Sequence, residues 1–172
     1  MRYLAALGLF LGATVSSSAS SQVAQTTQAP PSVVTFSGSP RSPISSNVAV
    51  PANKAYFWTS GTVPSVADEN APAGSPARFG DTKTQGISIL RTIENQLKEK
   101  GLTMKDVIYL RVYIVADKNK NNTFDYQGWF DAYAQFFGTQ ANPTKPSRST
   151  VGVAGLVNPE WLIEIEAFAV YP

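Results

Sequence analysis

The 172-residue chain contains no cysteine and no histidine. These absences exclude disulfides, thiol nucleophiles, thiolate metal sites and histidine-based triads, and most zinc hydrolase centres with them. Charge is scarce and nearly balanced, with 14 Lys and Arg against 12 Asp and Glu for a net +2. No basic stripe of the kind that tracks a phosphate backbone is visible, so nucleic acid is set aside as a partner. Phosphate loops of the Gly-x-x-x-x-Gly-Lys kind and nucleophile elbows of the Gly-x-Ser-x-Gly kind do not occur. What is present is apolar material: 43% hydrophobic residues, including nine Phe, seven Tyr and three Trp. That fills the core of one domain and excludes disorder of the whole chain.

The N-terminus has a composition of its own. Arg2 precedes an apolar run from Leu4 to Val15, followed by Ser16, Ser17, Ser18 and Ala19. A basic start, a short apolar stretch and small residues form the pattern of a secretory signal peptide, here 1–19 with cleavage after Ala19. The run is shorter than the roughly 20 residues that span a bilayer. With no cysteine there is no lipid attachment site. Residues 20–42, rich in Ser, Thr, Gln, Ala and Pro with Arg41 the one charge, read as a flexible leader. The expected product is a periplasmic or secreted protein with one domain over 43–172, free of the membrane once cleaved.

Within that domain the pattern mixes strand and helix. Ala55–Ser60 is aromatic and stops at Gly61, which suits a strand. Asp81 to Lys100 carries Ile87, Leu90, Ile93 and Leu97 at helical spacing, with Asp81 as cap and Gly101 as stop. Val107–Val115 reads as a well-buried strand and Thr123–Phe137 as a second helix ending at Gly138. Ser149–Ala154 and Trp161–Val170 supply the last strands. The class expected is α+β, a single mixed sheet with two helices packed on one face.

Three features invite over-reading. Asp117, Asn119 and Asn121 copy the opening of a calcium loop, but Asn122 stands where that loop needs Gly and Gly128 where it needs Glu. A polar turn capping the second helix explains them. Asn121-Asn122-Thr123 matches a glycosylation triplet, relevant only in a eukaryotic secretory pathway. Lys98, Lys100 and Lys105 cluster at a helix end, where cations complement the dipole without a partner.

The C-terminal third carries more. Arg148 opens one strand, and Glu164 and Glu166 alternate with Leu162, Ile163, Ile165 and Ala167 in the next, which puts both carboxylates on one sheet face. Spacing alone leaves two readings of each: a solvated strand-end arginine or a ligand-binding one, a wet edge-strand face or working carboxylates.

The run Pro146-Ser-Arg148-Ser149-Thr-Val151-Gly-Val153-Ala154-Gly-Leu156, followed by Glu164-Ile165-Glu166-Ala167-Phe-Ala169, resembles the hallmark of the reactive-intermediate deaminase family (RidA, also called YjgF-like). Thr59-Ser60-Gly61-Thr62-Val63-Pro64 is similar to the family's Thr-Ser-Gly turn. Thr84-Gln85, Ile93-Glu94-Asn95, Gly101-Leu102 and Tyr133-Ala-Gln-Phe-Phe-Gly138 follow its order through residues 43–172.

The resemblance implies a chorismate-mutase-like α+β fold assembled as a homotrimer with ligand sites between subunits. It implies hydrolysis of imines and enamines that bear a carboxylate, giving 2-oxo acids and ammonia, with no metal or organic cofactor. By position, Arg148 would grip the substrate carboxylate, as a planar guanidinium fork suits two oxygens. Glu164 would hold the attacking water or shuttle a proton. Ser60 and Gly61 would line the cleft from their turn, and Thr150 stands at a small pocket position. Two positions depart from the family: Asn47 replaces the tyrosine of its opening motif, and Phe130, beside Trp129, replaces an asparagine of its second helix. These departures keep a second reading open, a non-catalytic small-ligand-binding or protein-protecting trimer on the same scaffold.

Overall fold

The computed structural model describes residues 29–172. The predicted signal peptide, 1–19, therefore lies outside the described residues. Strands β1 (Thr35–Ser37) and β2 (Asn47–Ala49) pair antiparallel as a small separate sheet. Strand β3 (Tyr56–Trp58) belongs to the main sheet. A short helix α1 (Pro76–Phe79) precedes the long helix α2 (Thr82–Glu99), whose first turn is capped by Asp81 accepting from Thr84 N at 2.9 Å. Gly101, at φ 72°, ends it. The long strand β4 (Val107–Asp117) leads to the two-residue β5 (Thr123–Phe124), then helix α3 (Tyr126–Tyr133), β6 (Ser147–Val153) and β7 (Ile163–Val170).

Strand β4 is the spine of the sheet. It pairs antiparallel with β7 on one side and parallel with β6 on the other, while β3 extends the sheet beyond β7. This is the mixed sheet of the α+β, chorismate-mutase-like class. Alternation along β4 divides its faces. Leu110, Val112 and Ile114 are fully buried and meet Ile89, Leu90, Ile93 and Leu97 of α2 and Trp129, Ala132 and Tyr133 of α3 in one cluster. Both long helices thus cover the same face. Buried Gln85 ties α2 to the run into β7: its Oε1 accepts from Leu162 N at 2.8 Å, and its Nε2 donates to Gly80 O and Glu160 O, each at 3.1 Å.

Three expectations are corrected. The second helix does not span Thr123–Phe137. Thr123 and Phe124 pair with Asp117 and Ala116, and Asp125 starts α3 by accepting from Gly128 N at 3.0 Å. The buried Asp117 caps a tight turn through Asn119 rather than this helix. The folded domain begins by Thr35, inside the stretch 20–42 read as a flexible leader. Finally, β7 lies between β3 and β4, so Glu164 and Glu166 are not on an edge strand.

Candidate functional site

The sequence-predicted site residues fall into two groups, one on each side of the sheet. In the parallel register Arg148 pairs with Leu110 and Thr150 with Val112, which places both on the helix-covered face. Glu164 pairs with Tyr113 and Glu166 with Arg111, on the open face. Strands β6 and β7 flank β4, so they are also about 10 Å apart. Within one chain Arg148 and Glu164 cannot touch the same small molecule.

On the helix face, Arg148 is boxed by aromatic rings from α3. Its guanidinium carbon lies 5.4 Å from the Trp129 ring centre, 4.8 Å from Phe130 and 4.5 Å from Tyr133. These contacts are attractive cation–π geometries. Arg148 is half-buried, and its Nη1 is fully buried with no hydrogen-bond partner. No carboxylate pairs with it among the described residues. The reading as a solvated strand-end arginine is therefore overturned. Burial pushes Arg148 below its ordinary value, opposed by Tyr133, although a guanidinium keeps its charge. Burial also raises the Tyr133 hydroxyl to about 12 despite the neighbouring cation. That hydroxyl donates to Pro43 O at 3.0 Å. Thr150 Oγ1 accepts from Trp129 Nε1 at 3.3 Å, so it holds the indole rather than standing free.

Arg148 opens onto a cavity of about 380 Å³ walled by Phe130, Tyr133, Phe137, Pro43 and Lys145. Sequence reasoning missed most of this wall. The loop before β2 is drawn across it by Lys145, whose Nζ donates to Pro40 O at 3.0 Å and Ser42 O at 2.9 Å. Asn47, at the position of the family's tyrosine, sits in β2 opposite Ser37 and takes no part in that cavity. The legible signal was the spacing Phe130, Tyr133, Ala134, Phe137, which places these side chains on one side of α3 and the turn after it.

On the open face, Glu166 is engaged by Arg111 at 3.1 Å and by the Tyr113 hydroxyl at 3.2 Å. Glu164 has no ion-pair partner among the described residues. Its carboxyl is held above the ordinary value by burial and by the charge of Glu166. It folds against the turn after β3, where the backbone of Thr62 exchanges hydrogen bonds with Ile165 at 2.8 and 3.1 Å. A Cβ built on Gly61 would lie 1.8 Å from Glu164 Oε1, so only glycine leaves the carboxylate its place. Ser60 is exposed beside it. The structure therefore groups Ser60, Gly61 and Glu164 on one face and Arg148, Thr150 and Phe130 on the other.

A two-layer α+β sheet with an arginine in an aromatic box beside a cavity defines the class. The profile of the endoribonuclease L-PSP family matches residues 37–171, and the chain belongs to that family, the YjgF/RidA family. A 3-aminoacrylate deaminase, RutC, of Acinetobacter baylyi is 33% identical over 122 residues, covering 70% of this chain and 84% of its own. The structure of Escherichia coli TdcF with bound serine is 30% identical, with a TM-score of 0.53, over 72% of this chain and 85% of that one. A Rid-family protein, YyfB, of Yersinia pestis shares the fold with a TM-score of 0.58 at 23% identity, covering 80% and 98% of the two chains.

Proposed function

We propose that the protein hydrolyses carboxylate-bearing imines and enamines to 2-oxo acids and ammonia, without a cofactor, in a site completed by a second copy of the chain. The observation that carries this is a half-buried Arg148 that lines an open cavity and has no ion-pair partner among the described residues. A carboxylate in that cavity would pair with the guanidinium, a charge-assisted contact worth about 1.5–3 kcal/mol. Once an enamine has taken its imine form, water adds to the imine carbon while Glu164 takes one water proton and passes it to the nitrogen, giving a carbinolamine. The same carboxylate then takes the proton of the new hydroxyl and delivers it to the nitrogen, so that the C–N bond breaks, the carbonyl forms and ammonia leaves. A carboxyl titrating above the ordinary range suits both halves of the transfer.

Because Arg148 and Glu164 lie on opposite faces, this chemistry needs the Arg148 side of one protomer against the Glu164 side of its neighbour. The open face supports such an assembly. Trp58 is 66% exposed and Tyr56 50%, and Trp58 and Tyr109 both pack on Phe168. A closed homotrimer covers these rings. The absence of histidine, the near-neutral charge and the small cavity favour a small acid over the polynucleotide that the family's name suggests. We place the protein outside the cytoplasm on the strength of residues 2–19.

A second reading, a ligand-binding or protein-protecting trimer, is favoured by Phe130 in place of asparagine and by Asn47 standing away from the cavity. The deciding assay is ammonia or oxo-acid release from freshly generated imino acids, with spontaneous hydrolysis subtracted. Turnover above buffer establishes the enzyme. A wild type no faster than buffer on small, branched and aromatic imino acids leaves the binding trimer.

A further inference from the structure

We infer that the Arg148 cavity selects imino and enamine acids with a large apolar side chain, branched or aromatic, over three-carbon acids. The inference rests on the acid-binding reading of Arg148 given above. No acidic side chain lines the cavity, and its cations are not equivalent. Lys145 is occupied by the carbonyls of Pro40 and Ser42, Arg41 is exposed, and among the described cations lining the cavity Arg148 alone is half-buried with its guanidinium unpaired. One anionic group therefore suffices, and it belongs at the Arg148 end.

The rest of the wall is apolar. Phe130, Tyr133, Ala134 and Phe137 follow one another at i, i+3, i+4 and i+7, a spacing that ordinarily faces a core. Here the stripe divides. Tyr133 and Phe137 are buried, whereas Phe130 is 39% exposed and Ala134 is exposed on the cavity side. Across from them stands Pro43, held by the Tyr133 hydroxyl. At about 380 Å³ the space matches sites for small molecules of about 300 Å³ and upward. A three-carbon acid anchored on Arg148 would leave these rings facing water. A branched or aryl side chain would cover them, and a difference of even one methylene in such a wall is worth about tenfold or more.

Two measurements test this. The first compares kcat/KM for imino acids generated in situ by an amino-acid oxidase from phenylalanine, leucine and alanine. The second compares binding of the corresponding products, phenylpyruvate and pyruvate, by titration calorimetry. The expected result is a preference of at least about tenfold for the larger member in both. Phe130→Asn should bring both ratios towards one, while Phe130→Leu, which keeps an apolar wall, should preserve them. Equal or better use of the alanine-derived acid overturns the inference, as does a ratio that Phe130→Asn leaves untouched. If no imino acid is turned over, the deaminase reading has failed, and the oxo-acid ratio alone decides the selectivity. Equal binding, or no binding of either acid, overturns it.

Discussion

Gly61→Ala is the substitution whose consequence follows most directly from the geometry. The added methyl would sit 1.8 Å from Glu164 Oε1, 2.7 Å from Cδ and 3.2 Å from Cγ. Ordinary contact begins near 3.4 Å, so the carboxylate must retreat by roughly 1.5 Å. A displacement of about 1 Å at a reacting group can cost about a hundredfold, and kcat/KM for imino-acid hydrolysis should fall by that order. The fold should survive, because Gly61 is not in the left-handed region and the clash is with the end of a half-exposed, flexible side chain. Loss of unfolded-state freedom stabilises by about 0.4–1 kcal/mol, and the forced Glu164 rotamer costs about 0.5–1.5 kcal/mol. These nearly cancel, and Tm should move by less than about 5 °C. Ammonia release and a circular-dichroism melt provide the two readouts. Full activity in folded Gly61→Ala protein would refute the role given to Glu164, and a collapsed Tm would refute the packing argument.

Arg148→Lys should lose about thirty- to a hundredfold in kcat/KM although charge is kept, because an ammonium lacks the fork that costs about 2–3 kcal/mol to remove. Arg148→Met should melt within about 3 °C of wild type, since deleting an unpartnered buried donor offsets the lost ring contacts; a fall beyond about 10 °C would make Arg148 a structural residue. Activity should rise with pH through an acid limb displaced above the ordinary glutamate value, because Glu164 works as the ionised base and its carboxyl is raised; kcat/KM profiles read this directly. The same shift has a stability sign: the fold prefers Glu164 protonated, so its contribution is present below its unfolded pKa and is lost as pH rises through the folded one. Glu164→Gln should flatten that part of a Tm-against-pH curve and abolish turnover while phenylpyruvate still binds.

Much of the architecture was legible in residue order. Asp81 and Gly101 bracket α2, and the β-branched and aromatic run from Val107 is the strand that β5, β6 and β7 pair with. The second helix was overextended because Thr123–Phe137 is amphipathic from end to end, and that pattern does not reveal that Asp125 caps the helix or that Thr123 and Phe124 pair with β4. Strand β1 was hidden in a Ser- and Pro-rich stretch, since its three residues are exposed and carry no burial signal. The site residues came from motif resemblance. Neither motif nor spacing showed that Arg148 and Glu164 face opposite ways, because that depends on the register of β6 and β7 against β4. The loop drawn over the cavity depends on Lys145, some 100 residues from the serine and proline carbonyls it binds.

The claim that one site needs two protomers is tested most directly by mixing two inactive proteins. Arg148→Met and Glu164→Gln chains, each without activity alone, are unfolded together in equal amounts and refolded. In a mixed trimer some sites join an intact Arg148 from one protomer to an intact Glu164 from its neighbour. Random assembly makes that about a quarter of all sites, so the mixture should regain about a quarter of wild-type ammonia release. A mixture no more active than its two components, while co-assembled trimers are present, would contradict the account.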